Sequence, residues 1–378
     1  MPKFQNPASV LICTVGTSML AGKTDVPGPD PTDQEVDAIF RKLTSLATDE
    51  HACGAEINSC HHILNGGYAR EDCTIVLVHS ATPGGRLVAK VLEKFFNARK
   101  HAVKTAEVPD LQDENPGRFR THGLRNLANV ICKELKSNGG PQCAINATGG
   151  YKAQIAIAVL IGQSLRVPVY YLHEKFKSII SLPPMPVAPD INLWLRHTHL
   201  FYKLAAAGSD PIPAESFNLE PSSGEPFPSE LAGLLEIESI DRTDYLALTP
   251  TGIVFHEAIM DSFGPDGAPI PPPREAGDSE KKPPKFKQGE AHLEIHRPEL
   301  ERYLEALIRE VPYVRQCIVN YFSPDLPKEN QFRCAGGEIE GIYSNGSFTA
   351  KFRVLTTAET EPQRLAVTAK LNEWAAAR

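Results

Sequence analysis

The chain has 378 residues, 42% hydrophobic and 22% charged, the ordinary balance of a soluble globular protein with two or three domains. Lysine and arginine number 39 against 46 aspartates and glutamates, a net charge of −7, which argues against polyanion binding by the whole surface. No apolar run nears the roughly 20 residues a bilayer requires. The residues before Val10 hold no signal-peptide core, and the eight cysteines show neither C-x-x-C pairing nor metal-ligand spacing. Membrane, secreted and zinc-framework classes are set aside, and a reduced cytoplasm is the expected setting.

In chain order, Ser9–Thr14, Thr74–Val78, Cys143–Asn146 and Val167–Leu172 read as short buried strands. Amphipathic stretches such as 85–96 and 122–135 separate them, with apolar residues at helical spacing. That alternation predicts an α/β domain over 1–188, Rossmann-like, with a parallel sheet covered on both faces. Residues 189–263 read as mostly helical, then strand 234–240, polar turn 241–244 and strand 245–248. Thr249 and Pro250 then open a helix as N-cap and first position. This is a winged-helix-like middle domain without the dense basic helix of a DNA reader. Residues 264–288, crowded with proline, glycine and charge, read as a semi-stiff spacer.

Residues 289–378 read as a small α+β domain. Its order is a strand over 292–296, a helix opened by Pro298, a hairpin, and a helix over 361–377. Leu300, Leu304, Leu307, Ile308 and Val311 line one face of the first helix. Asn345-Gly346 signals a two-residue hairpin loop, which sets Tyr343 opposite Phe348, Ile339 opposite Phe352, Glu340 opposite Lys351 and Glu338 opposite Arg353. One hairpin face is then apolar; the other carries two carboxylates, a lysine and an arginine. From Lys281 onward there are 15 basic and 13 acidic residues, against 24 and 33 in the rest, so polyanion contact is expected at the C-terminal end.

Two turns carry the chemistry of the first domain. Thr14-Val15-Gly16-Thr17-Ser18 ends the first strand, where a glycine lets backbone amides approach a phosphate and two residues add hydroxyls. Asn146-Ala147-Thr148-Gly149-Gly150-Tyr151-Lys152 ends a later strand and runs into a helix. Lys152 in that helix's first turn opposes the dipole, so it answers a bound anion. Neither G-x-G-x-x-G nor G-x-x-x-x-G-K-[ST] is present, which weighs against dinucleotide and nucleoside-triphosphate binding. His61-His62 follow an apolar helix face without partners at ligand spacing, so no metal site is expected.

In combination these turns, the Ala55-Glu56-Ile57-Asn58-Ser59 helix, Tyr170-Tyr171-Leu172-His173-Glu174 and Leu182-Pro183 resemble the CARF domains of type III CRISPR systems, over about the first half of the chain. The resemblance implies a homodimeric sensor for cyclic oligoadenylate, most often the tetra-adenylate, acting as an allosteric activator rather than a cofactor. Thr14, Val15, Gly16, Thr17 and Ser18, with Asn146, Thr148, Gly149, Gly150, Tyr151 and Lys152 of both subunits, would hold it. Ser80, Ala81 and Thr82 would add contacts. Some CARF domains cut their ligand, and Ser18 with Lys152 would serve that slow ring-nuclease reaction.

The last 90 residues resemble the RelE-type mRNA interferases, with weaker motifs. That resemblance implies a metal-independent endoribonuclease acting on mRNA in the ribosome. Lys351 and Arg353 would stabilise phosphate, Arg333 and Tyr343 would assist, and Glu338 or Glu340 would act as base. No final strand of the RelE fold is legible. No helical Arg-x4–6-His pair or metal-binding carboxylate–lysine pattern points to the other nucleases that accompany CARF domains. Because the chain is acidic and only faintly basic at its end, a ribosomal protein of the factor-binding region is the expected docking partner. Two alternatives stay open: a ligand-responsive winged-helix transcriptional regulator, and a dedicated ring nuclease.

Overall fold

The computed structural model describes residues 6–20, 30–112, 114–186, 188–217, 228–263, 273–286, 293–322, 330–376 and 378. The chain divides into two compact units, Met1–Pro189 with Thr249–Ala258, and Asp190–Leu248 with Ile259–Arg378.

The first unit is a layered α/β domain. Its elements are β1 (Ala8–Thr14), α1 (Asp33–Thr44), α2 (Ala55–Asn65), β2 (Ala69–Ser80), α3 (Pro83–Asn97), β3 (Val103–Val108), α4 (Pro116–Arg118), α5 (Leu124–Asn138), β4 (Cys143–Asn146), α6 (Lys152–Ser164), β5 (Val169–Tyr171) and β6 (Ile180–Leu182). The sheet order is β3-β2-β1-β4-β5-β6, parallel except for β6, which runs antiparallel beside β5. The central strands are buried on both faces, which is what continuous apolar runs such as Val10-Leu11-Ile12-Cys13 require. Leu11, Cys13, Ile75 and Leu77 pack with Ile57, Ile63, Val88 and Leu92 from α2 and α3 in one core. The Rossmann-like expectation holds, with two edge strands, β3 and β6, that the apolar pattern does not reveal.

The second unit is introduced by α7 (Ile191–Arg196) and α8 (Thr198–Ala207), then the strands β7 (Ile212–Pro213), β8 (Leu235–Ile240) and β9 (Thr243–Leu248), in the order β7-β9-β8. α9 (Pro250–Phe263) follows, its residues up to Ala258 belonging to the first unit, and is capped as the sequence indicates, with the Gly252 amide donating to Thr249 Oγ1 at 3.0 Å. The remaining elements are β10 (Lys285–Phe286), α10 (Leu293–Glu310), β11 (Val314–Phe322), β12 (Gln331–Ala335), β13 (Glu338–Ser344), β14 (Thr349–Thr356) and α11 (Glu361–Ala376). The five-stranded sheet has the order β10-β11-β14-β13-β12.

Four sequence expectations change here. The strand placed over 292–296 is helical in its described part, 293–296, and α10 runs through Pro298 instead of opening at it. A proline there removes one amide donor without forbidding the helix. Next, the described end of the proline-rich stretch is not a spacer. Lys285–Phe286 pair with β11, and the amides of Ala276 and Lys282 donate to Pro312 and Arg315 carbonyls, both at 2.8 Å. β11 and β12 are strands that the hairpin-only reading omits. Finally, the hairpin register is shifted by two: Ser344 pairs with Thr349, Gly341 with Phe352 and Glu340 with Arg353. A two-residue type I′ loop needs positive φ at both central residues. Of Asn345 and Gly346 only Gly346 has it, at 87°. Asn345 Oδ1 instead accepts the Phe348 amide at 2.9 Å, closing a four-residue loop.

The shift conserves the faces. Phe332, Ile339, Tyr343, Ala350, Phe352 and Val354 pack under α10 and α11 with Leu300, Leu304, Leu307 and Leu371. Among the described residues no helix is long and apolar enough to cross a membrane.

Gly341 has no space for a side chain, because a Cβ there would lie 2.4 Å from the Phe352 ring. Gly341→Ala is expected to destabilise the protein by about 1–3 kcal/mol in urea unfolding, the usual cost of overpacking. Adding Phe352→Leu is expected to recover part of that loss in a double-mutant cycle; additive losses would contradict the contact.

Candidate functional site

β1 and β4 are neighbours, and the chain leaves them in opposite directions along the sheet. In α/β sheets the crevice at such a reversal, beyond the carboxyl ends of the strands, is where ligands bind. Both glycine turns lie there, residues 15–18 after β1 and 147–151 after β4.

The turns are tied together from below. Thr14 Oγ1 donates to the Gly149 carbonyl at 2.7 Å, and a Cβ on Gly16 would lie 2.6 Å from the Gly150 nitrogen. Glu56, 1% exposed on α2, reaches between them. Its Oε1 accepts the Gly16 amide at 2.7 Å, and a Cβ on Gly149 would lie 2.3 Å from that same oxygen. Its Oε2 is buried without a hydrogen-bond partner. Burial pushes the Glu56 carboxyl up from its ordinary value, outweighing the hydrogen bonds from the Gly16 amide and its own amide.

The second turn has its own support. Gln154, buried in the first turn of α6, accepts the Tyr151 amide at 2.8 Å. Gly150 has φ 95°, and any side chain there would collide with Gln154. Asn146 Nδ2 donates to Ser59 Oγ at 2.8 Å. Thr148 Oγ1 donates to Asn146 Oδ1 at 2.7 Å and accepts the Leu172 amide at 3.1 Å.

The structure therefore sorts the sequence candidates into two groups. Thr14, Val15, Asn146 and Gly149 are buried and build the turns, with Gly16 and Thr148 partly covered. Thr17, Ser18, Gly150, Tyr151 and Lys152 are exposed at the mouth. Ser80 and Thr82 serve the start of a helix instead. Thr82 caps α3, accepting the Gly85 amide at 3.0 Å, and its hydroxyl lies 2.8 Å from that of Ser80. Glu56 and Gln154 are the functional supports that motif reading passes over. The available signal is position: Glu56 shares the buried stripe of α2 with Ser59, Cys60 and Ile63, where a carboxylate has no reason to be unless it bonds something.

A second constellation lies on the open face of the five-stranded sheet. Glu340 forks between two cations, with Oε1 2.7 Å from Lys351 Nζ and Oε2 3.0 Å from the Arg333 guanidinium. Arg353 pairs with Glu338 at 2.5 Å. The charge partners read from the sequence thus meet, diagonally across the strands because of the shifted register. Burial works to raise the Glu340 carboxyl, but Lys351 and Arg333 outweigh it and hold it below its ordinary value. Tyr343 is not part of this group. It lies on the opposite, apolar face, 5% exposed, with its ring 4.8 Å from that of Tyr303 and its phenol pushed up to about 12 by burial and by Glu299.

Residues 51–185 match the model of a family described as CRISPR-associated protein (Cas_APE2256). The matched stretch takes in Glu56 and the Asn146–Lys152 turn and lacks the Thr14–Ser18 turn. No curated protein matches the chain. Among solved structures, Can2 from Sulfobacillus thermosulfidooxidans in complex with cyclic tetra-adenylate is 10% identical, with a TM-score of 0.25 over 93% of this chain and 75% of that one. Protein VC1899 from Vibrio cholerae is 8% identical, with a TM-score of 0.25 over 92% and 77%. At these scores neither likeness bears on the fold.

Glu56 gives the site a definite pH dependence. Its folded-state pKa lies above the ordinary 4.5, so its contribution to stability is full below about pH 4.5 and is lost as pH rises through the raised value. Glu56→Gln keeps an oxygen for Gly16 and cannot ionise. The melting temperature of the variant minus that of the wild type is expected to grow from pH 4.5 upward and then level off. A difference that is flat or falls with rising pH would contradict a buried, uncompensated carboxyl.

Proposed function

We propose that the protein is a homodimeric ancillary effector of type III CRISPR immunity. In this reading its first unit senses cyclic oligoadenylate, the tetra-adenylate foremost, and its C-terminal sheet cuts mRNA. The observation that carries it is the pair of glycine turns locked together at the β1/β4 reversal, beside a stretch that matches a CRISPR-associated family. Four amides of these turns are already engaged, Val15 and Ala147 by the carbonyls of Val78 and Tyr170, Gly16 by Glu56 and Tyr151 by Gln154. The ligand's phosphates are left the amides of Thr17, Ser18 and Gly150 and the Lys152 ammonium, at the positive end of α6. Ligand binding shifts the dimer between two states for which it has different affinities.

In the effector, which we read as RelE-like, the 2′-oxygen of the scissile nucleotide attacks the adjacent phosphorus. The 5′-oxygen of the next nucleotide departs and takes up a proton, leaving a 2′,3′-cyclic phosphate. Lys351, Arg333 and Arg353 meet the charge that grows on the phosphoryl oxygens. Glu340, ionised between two cations, orients them; Glu338, more exposed, is the better placed base. The winged-helix-like middle segment is the connector, and the substrate is mRNA held on the ribosome, reached through a ribosomal protein of the factor-binding region.

The test is mRNA integrity in a bacterial translation extract with and without cyclic tetra-adenylate, beside naked RNA. Cuts confined to ribosome-bound mRNA, dependent on the ligand and reduced about 100-fold or more by Lys351→Ala, are the expected result. Intact mRNA under all conditions overturns the interferase reading. Rapid loss of the ligand with RNA untouched would assign the protein to ring nucleases, with Ser18 and Lys152 as the first residues to replace.

A further inference from the structure

The carboxyl edge of the first sheet also carries an aromatic pair that phosphate binding does not use. After β3 the chain returns through α4, capped by Asn115, and a single π turn over Phe119–Gly123 before α5 begins. A π turn strains a helix locally and is frequent at functional sites. Here it is held firmly in place. Arg118 Nε donates to Asp110 Oδ1 at 3.0 Å, Thr121 Oγ1 to the Gly117 carbonyl at 3.0 Å, and Asn126 Nδ2 to the Pro109 carbonyl at 3.0 Å. Gly123 packs so closely on the Asp110 carbonyl that a Cβ would lie 2.5 Å from its oxygen.

The turn sets the Phe119 ring edge-to-face against Tyr151, with centroids 5.3 Å apart and planes at 77°. Tyr151 stands between Gly150 and Lys152, its backbone fixed by Gln154, yet its side chain is 39% exposed. Large apolar side chains left open are few among the described residues; the others are Phe176, Met185 and Ile240. Two rings in this arrangement restrain one another, so little freedom is lost when a third planar ring is laid against the exposed part of Tyr151.

We propose that Tyr151, oriented by Phe119, is a stacking platform for one nucleobase of the bound oligonucleotide in each subunit. This deepens the nucleotide-sensing reading above and rests on it. Tyr151 is the contact; Phe119 is a positioning residue that acts through it. Stacking follows ring area and is tolerant of base identity, so the platform adds affinity for purines without separating adenine from guanine.

The experiment uses the full chain and cyclic tetra-adenylate in which one adenine is replaced by 2-aminopurine, whose fluorescence falls on stacking. The wild type is expected to quench the probe. Tyr151→Phe, which keeps the ring, should quench equally and bind within about twofold. Tyr151→Leu should lose the quench and weaken binding about 5- to 150-fold, the range of one lost base–aromatic stack. Phe119→Leu should reduce the quench, and Phe119→Tyr should restore it.

An unchanged quench and affinity in Tyr151→Leu would overturn the platform. So would a change in the sedimentation of ligand-free Tyr151→Leu, which would make the pair a contact between copies of the chain. Failure of the wild type to bind the probe would instead overturn the sensing reading. Wild-type binding that is lost in Lys152→Ala and intact in Tyr151→Leu would remove the platform alone.

Discussion

Glu56 reaches from α2 into the gap between two turns, and the turns stand so close because Gly16 leaves room for the Gly150 backbone and Gly149 for the Glu56 carboxyl. A buried acid of this kind is costly unless it is hydrogen-bonded or neutral. One oxygen takes the Gly16 amide and the other has no partner, so the proton is the natural compensation. The arrangement engages the Gly16 amide and ties the two turns together. Thr14, Asn146 and Thr148 complete the scaffold with bonds that run from one turn to the other and on to Leu172, the residue after β5. The exposed groups can then be few, because little reorganisation is left for the ligand to drive.

The C-terminal sheet follows a different logic. Its apolar face is closed by α10 and α11, and its open face carries paired charges, with Arg353 Nε buried without a hydrogen-bond partner. Such partly exposed pairs contribute little to stability, under about 1 kcal/mol each. A fork of one carboxylate between two cations is nonetheless a defined geometry. In the proposed ribonuclease reading, a phosphate would compete with Glu340 for Lys351 and Arg333, two cations that already share one carboxylate.

Legibility in the sequence tracked the strength of the local signal. The buried strands of the first unit could be read because Val10–Cys13 and Cys143–Ile145 are apolar without interruption. β3 could not, since Val103-Lys104-Thr105-Ala106-Glu107-Val108 is an edge strand with half of its residues exposed and one buried. Turns behaved differently in the two hairpins. Asp241-Arg242 close a two-residue loop, both with positive φ, although neither residue announces it. Asn345-Gly346 announce such a loop and do not form one, because the Asn345 side chain takes the Phe348 amide. Register slipped by two, which kept every side chain on its face, so the charged cluster and its ion pairs were legible even though the strand register was not. Tyr343 was misgrouped because a residue's face follows from parity, and 343 differs in parity from 338 and 340. In the candidate site the turns were legible as glycine-rich strand ends. Their supports, Glu56 and Gln154, are distant in sequence or hidden in helices, and only packing brings them beneath the turns.

The claim on which the rest stands is that the crevice at the β1/β4 reversal binds cyclic tetra-adenylate. Calorimetric titration of the full-length protein with that ligand tests it most directly. Saturable binding at one ring per two chains, abolished or greatly weakened by Lys152→Ala, is the predicted result. No heat of binding from a folded wild-type protein, or binding unaffected by Lys152→Ala, would contradict it.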